Sequence, residues 1–116
     1  MQRRFRLTRS TDFKRVRNYG KSFAHPLLVL ISLVSEDEGL RVGVAAGRAV
    51  GGAVQRNRAK RLLREAMRPE IPSLATGRDL VLIARQALLQ AEFSEIQKAV
   101  KGLLQRASLY QPDRSK

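Results

Sequence analysis

The segment from Ala53 to Arg68 constrains the fold more than any other part of the chain. It lies between Gly51-Gly52 and Pro69, residues that interrupt regular structure, and its apolar residues recur at helical spacing. At about 100° per residue, Ala59, Leu62, Leu63, Ala66 and Met67 share one arc, which must be buried against another element. The opposite arc carries Asn57, Arg58, Lys60, Arg61, Arg64 and Arg68, with Glu65 its single acid and Arg56 on the border. Lys60 and Arg64, and Arg64 and Arg68, are same-sign pairs one turn apart. Each such pair costs an isolated helix about 0.2–0.5 kcal/mol. An external anion accounts for a surface that repels itself. The guanidinium fork, which grips phosphate oxygens in pairs and keeps its charge, explains why arginine outnumbers lysine there.

Around this helix the chain reads as strands and two further helices. Ser10 or Thr11 is expected to cap a short helix over Asp12-Phe13-Lys14-Arg15-Val16-Arg17, ended by Gly20. After Pro26, the run Leu27 to Val34 suits a buried strand. Glu36-Asp37-Glu38-Gly39 reads as a hairpin turn, after which Leu40, Val42, Val44 and Ala46 alternate with Arg41, Gly43 and Ala45. These two strands are expected to pair antiparallel. Gly77-Arg78-Asp79 reads as a turn and Leu80 to Ala84 as an interior strand. Phe93-Ser94-Glu95-Ile96 opens a last helix with Ile96, Val100, Leu103, Leu104 and Ala107 facing inward. The order is helix, two or three strands, long helix, strand, helix; with three strands it is helix-strand-strand-strand-helix-strand-helix, an α+β, two-layer α/β sandwich. One domain over 1–116 is expected, with a basic extended segment over 1–8 and a flexible tail over 111–116.

Composition narrows the partner. Lys and Arg number 23 against 10 Asp and Glu, a formal net charge of +13, which calls for a polyanion. No run approaches the roughly 18 apolar residues of a spanning helix. The cationic opening Met1 to Arg6 meets Asp12, Lys14 and Arg15 before any apolar signal region can form. A cytoplasmic protein without a membrane partner is therefore expected. With no cysteine and one histidine, His25, neither a disulfide framework nor a zinc cluster can be built. The acids do not group either: Asp12 is expected to help cap a helix, Glu36, Asp37 and Glu38 share a turn, and Glu65 and Asp79 stand isolated among cations. General acid–base or metal-assisted cleavage needs clustered groups, so no catalytic residue, metal site or protein-held cofactor is expected.

Phe13 and Val16 lie on one side of the first helix, with Arg17 one turn beyond Phe13. A ring and a guanidinium so placed can flank a groove against the sheet where unpaired bases stack. Spacing serves a plain core role for Phe13 equally well. His25 reads as a loop histidine, and the Gly51-Gly52 turn can bring backbone N–H groups near a phosphate. Three classes share these charges: a structural RNA-binding protein, a stand-alone nuclease and a duplex-DNA regulator. Co-purified RNA, cleavage by RNA-free protein and sequence-selective duplex binding would tell them apart.

The run Gly51-Gly52-Ala53-Val54-Gln55-Arg56-Asn57-Arg58-Ala59-Lys60-Arg61-Leu62-Leu63-Arg64-Glu65 resembles the RNR helix of the bacterial ribonuclease P protein family. The resemblance extends to Arg6-Leu7, Asp12-Phe13 before Gly20, Arg41-Val42-Gly43, and Asp79 to Arg85, so it covers nearly the whole chain. It implies that the RNR helix lies in a left-handed crossover between parallel strands, against the usual right-handed rule. It also implies a partner: a catalytic RNA that removes the 5′ leader of precursor tRNA using Mg²⁺, assisted by a monomeric protein in a 1:1 particle. By matching position, Arg56, Asn57, Arg58, Lys60, Arg61, Arg64 and Arg68 would face the catalytic RNA, and Phe13, Arg17, Arg48 and Arg85 would line the leader cleft. Three positions depart from the family: Gly52 where Asn is common, Arg48-Ala49 in place of two basic residues, and Arg17 where an aromatic is frequent. With Leu28 and Ile31 on a sheet that is often more aromatic, leader contact is expected to shift from stacking toward charge.

Overall fold

The computed structural model describes residues 6–36 and 39–112. Helix α1 spans Ser10–Tyr19; strands β1, β2 and β3 span Lys21–Ala24, Leu28–Val34 and Leu40–Ala46; helix α2 spans Ala53–Met67, strand β4 Arg78–Ala84 and helix α3 Phe93–Arg106. The element order matches the one read from the sequence, and β1 supplies its third strand. The four strands form one mixed sheet in the order β1-β2-β4-β3.

That order corrects the expected hairpin. β2 and β3 do not pair with each other: β4 lies between them, antiparallel to β2 and parallel to β3. The physical reason is in β4. Leu80, Val81 and Leu82 are all buried, on both faces of the strand, and a two-faced apolar strand belongs in the middle of a sheet. The strand after β2 in the chain is therefore not its neighbour in the sheet, and Asp37 and Glu38 of the expected turn lie outside the described residues. Arg78 and Asp79 belong to β4 rather than to a turn. Helix α2 occupies the connection between the parallel strands β3 and β4.

The register divides the side chains between two faces. Leu28 and Leu30 of β2, Leu40, Val42 and Val44 of β3, and Leu80, Leu82 and Ala84 of β4 form the main core. Against them pack Ala59, Leu63, Ala66 and Met67 of α2, and Ile96, Ala99, Val100, Leu103 and Leu104 of α3. The apolar arc expected for α2 is thus the buried one, with Leu62 at its half-buried margin. The opposite face is only partly covered: Leu7, Val16, Ile31 and Val81 make a small second core under α1, with Phe13 against it. Leu28 and Ile31 therefore project to opposite faces, and Val29 is the residue that shares a face with Ile31.

The N-terminal end of α1 differs from expectation. Its N-cap is Arg9, whose side chain makes no capping bond, and Asp12 is used elsewhere. Gly20 does end the helix, for a reason of space. A Cβ there would lie 2.5 Å from the Val16 carbonyl oxygen and 2.6 Å from Ile31, so only glycine lets the chain turn into β1 this close to β2. α3 starts with a reciprocal capping box between Glu92 and Glu95. Beyond Tyr110, the Gln111 backbone N–H donates to the Ser73 carbonyl at 2.9 Å, which ties down the first residue of the expected tail. Residues 113–116 and the basic residues 1–5 lie outside the described residues.

Candidate nucleic-acid interface

Helix α2 and its C-cap leave Asn57, Arg58, Arg61 and Arg68 exposed, while Arg56, Lys60 and Arg64 are half-buried at its margins. Among the described residues, no cation of α2 lies within ion-pair distance of a carboxylate; the ion pairs found are all made by Arg15 and Arg41. Burial and the neighbouring charge of Arg6 lower the pKa of Arg64, the signature of a guanidinium without a counter-charge. The side chain of Arg56 has its Nε buried without a hydrogen-bond partner. Val54, at the start of the same helix, is 79 % exposed.

Arg6, Lys60 and Arg64 converge. They line a groove of about 230 Å³ with Leu7, Thr8, Phe13, Val42, Gly43 and Val44, where the N-terminal segment runs beside β3. Arg6 was legible in the sequence as one of many N-terminal cations, but nothing in the sequence places it beside Arg64. Phe13 also lines a second, wider groove of about 610 Å³ with Thr8, Ser10, Lys14, Arg17 and Asn18. The structure thus brings together Phe13 and Arg17, and joins Phe13 to the α2 cations. The ring lies over Gly43, where a Cβ would come within 2.5 Å of it.

Two residues along the strands from Ile31, Val81 and Gly43, the same sheet face presents Val29, Ile83 and Ala45, all half-buried, with Ala24 exposed beside them. This strip is left open by α1. At its far end stand Arg85, directly after β4, and Arg48, in the short 3₁₀ turn after β3; both are exposed. Arg48 and Arg85 thus follow the strands at that end and line neither groove of Phe13. The strip was missed in the sequence reading because its residues are small or aliphatic and carry no chemistry of their own. The period-two alternation through Ile31 was the signal that could have found it.

Arg15 changes character. In the sequence it is one more cation of the first helix, but in the structure it donates to the Asp79 carboxylate at 2.6 Å and to Asp12 at 3.2 Å. Asp79 is not isolated: it is 1 % exposed and takes two further bonds from Arg41, at 3.0 and 2.9 Å. Burial alone would raise the Asp79 pKa, but the bonds from Arg41 and Arg15 outweigh it and hold the carboxyl below its ordinary range. Asp12 is likewise an ion-pair partner, of Arg15 and at 3.7 Å of Arg41, rather than a cap. His25 accepts the Leu27 backbone N–H on Nδ1 at 3.0 Å, a loop role. Among the described residues, no group of three or more His, Asp or Glu is placed to hold a metal ion, and no helix is long and apolar enough to cross a membrane.

A helix whose cations find no internal acid, set beside an open sheet strip edged by an aromatic ring and arginines, defines an RNA-binding α+β protein. Residues 1–108 match the family model described as Ribonuclease P. The chain is 42 % identical over 110 residues to the ribonuclease P protein component of Chloroflexus aurantiacus, covering 94 % of this chain and 82 % of that one. It is 42 % identical over 113 residues to that of Symbiobacterium thermophilum, covering 96 % and 97 %. The solved ribonuclease P protein of Staphylococcus aureus superposes with a TM-score of 0.82 at 27 % identity, covering 92 % of this chain and 98 % of that one. The chain belongs to the ribonuclease P protein family.

Proposed function

We propose that this chain is the protein subunit of a ribonuclease P ribonucleoprotein, which removes the 5′ leader from precursor tRNA. It is the accessory subunit, and the RNA, with Mg²⁺ held by that RNA, carries out the hydrolysis. The outward face of α2, from Arg56 through Asn57, Arg58, Lys60, Arg61 and Arg64 to Arg68, lies against phosphates of the catalytic RNA. Phe13, Arg17, Arg48 and Arg85 edge the strip that receives the leader, where Val29, Ala45 and Ile83 give apolar contact and the arginines hold the backbone. We further infer one domain over 1–116, one protein per RNA, and action in the cytoplasm.

The observation that carries this reading is the α2 face, with Arg64 set beside Arg6 and, among the described residues, no carboxylate in ion-pair reach. Such a surface is at its best only when a phosphate backbone supplies the missing charge. Reconstitution with the cognate RNA tests it. At low salt and low Mg²⁺ the protein should strongly stimulate precursor cleavage and should favour precursor over mature tRNA, while RNA-free protein should cleave nothing. Absence of stimulation, or an RNA affinity that stays flat as salt rises, would overturn the proposal.

A further inference from the structure

Three large apolar side chains stand exposed among the described residues: Val54 on α2, and Tyr19 and Val34, which are 77 % and 69 % exposed. Tyr19 and Val34 edge the same groove, of about 400 Å³, on the far side of the sheet from the open strip. Lys21, Phe23, Ser32 and Arg78 line its floor, and Arg106 at the end of α3 closes it, with no carboxylate among the lining residues. The Lys21 ammonium sits 5.5 Å from the centroid of the Phe23 ring. An exposed phenol ring, a second ring beneath an ammonium, and two guanidinium groups with no paired acid among the described residues are the chemistry that holds an unpaired RNA strand, with bases on the rings and phosphates on the cations. An acidic protein segment would meet the charges but would leave the Tyr19 ring without a planar partner.

The groove also adjoins the leader strip. α1 starts beside β3 and ends over β2, so Tyr19 stands where α1 gives way to β1, the edge strand. Ser22 and Ala24 of β1 face the strip, and Lys21 and Phe23 face the groove, so the two sites are back to back across a single strand. Arg106 bridges that edge, donating to the Ala24 carbonyl at 2.8 Å. We infer that the upstream continuation of a long leader passes around the edge of β1, along Arg106, and is held in this groove by Tyr19 and Lys21. This rests on the function proposed above.

Two experiments test it. The chain has two tyrosines and no tryptophan, so in a Tyr110→Phe background the emission reports Tyr19 alone. Hexaadenylate should quench it saturably, and loss of that quenching in Lys21→Ser with Arg78→Ser is expected. Binding of the oligonucleotide without quenching, or equal displacement by polyglutamate, would overturn an RNA groove. In the reconstituted holoenzyme, Tyr19→Ala with Lys21→Ser should raise KM about tenfold for a precursor with a long leader, by the loss of one stacked base. kcat, and both constants for a leader short enough to end within the strip, should be unchanged. Equal effects on the two leaders, or none on the long one, would overturn the leader as occupant. Failure of the unaltered protein to stimulate either precursor would strike the parent proposal instead, whereas the fluorescence titration needs no catalytic RNA.

Discussion

Arg15 and Arg41 end on a carboxylate of the protein itself, whereas Arg58, Arg61 and Arg68 end in solvent. The residue type is the same, and the difference lies in what it is opposed to. Under α1, a buried Asp79 collects both guanidinium groups and ties α1, β3 and β4 together. Along α2, no described carboxylate pairs with the cations, and burial beside Arg6 leaves Arg64 electrostatically worse off. The first arrangement uses charge to fix the scaffold and the second keeps charge available for a ligand. A count of cations in the sequence cannot separate the two uses.

Breaking the internal cluster should have the largest effect. Asp79→Asn leaves two arginines side by side over a neutral amide, and should destabilise the fold by about 3 kcal/mol, the lower end for a broken buried pair because both arginines keep partial solvent contact. Denaturant unfolding reads this directly. The same cluster sets the acid limit. Because the folded pKa of Asp79 lies below its unfolded value, its contribution is complete above the unfolded pKa and disappears as pH falls through the folded one. Stability should therefore hold steady down to about pH 4 and then drop, and Asp79→Asn should flatten that acid limb.

The open cluster should respond in the opposite way. Arg58→Ala, Arg61→Ala and Arg68→Ala together remove exposed side chains, so unfolding should move by less than about 0.5 kcal/mol. Affinity for the catalytic RNA should weaken on the order of a hundredfold near 0.1 M salt, with the log–log salt slope shallower by about 2 to 3. A titration across salt concentrations measures both, and a large loss of stability would show that these arginines belong with Arg15 instead. Arg64 and Lys60 are poorer choices for this test, since both are half-buried in the groove with Arg6 and Phe13.

Gly43→Ala falls between the two regions. The added methyl group meets the Phe13 ring, so either the ring or α1 must shift, at a cost of about 1–3 kcal/mol. Precursor affinity should drop while affinity for the catalytic RNA stays near the unaltered value; a parallel loss of both would tie Phe13 to α2 rather than to the strip. The smallest effect is expected far from RNA. The Tyr110 hydroxyl donates to Glu70 at 2.7 Å, and burial together with that carboxylate raises its pKa. Tyr110→Phe should cost about 1 kcal/mol in unfolding, with RNA binding unchanged.

Much of this protein was legible residue by residue. The bounds of α2, its apolar arc and its cationic arc follow from Gly52, Pro69 and a 3.6-residue period. The inner face of α3 follows from Ile96, Val100, Leu103 and Leu104 in the same way. Helical spacing set Arg17 one turn beyond Phe13, and both line one groove, but spacing left a plain core role for Phe13 equally open. What failed involves partners distant in the chain: β2 with β4 rather than β3, Asp79 with Arg15 and Arg41, and Val29 in place of Leu28 beside Ile31.

The sequence by itself determined the periodicities, the excess of positive charge and the family to which the chain belongs, because these are properties of neighbours along the chain. Tertiary structure alone decided which strand lies in the middle and which arginines are neutralised. Those outcomes depend on competition among distant segments for one buried sheet and one buried carboxylate. Burial also sets the strength of the outcome: the Asp79 cluster is strong because its carboxylate is buried, and the α2 face stays open because, among the described residues, no carboxylate is paired with it.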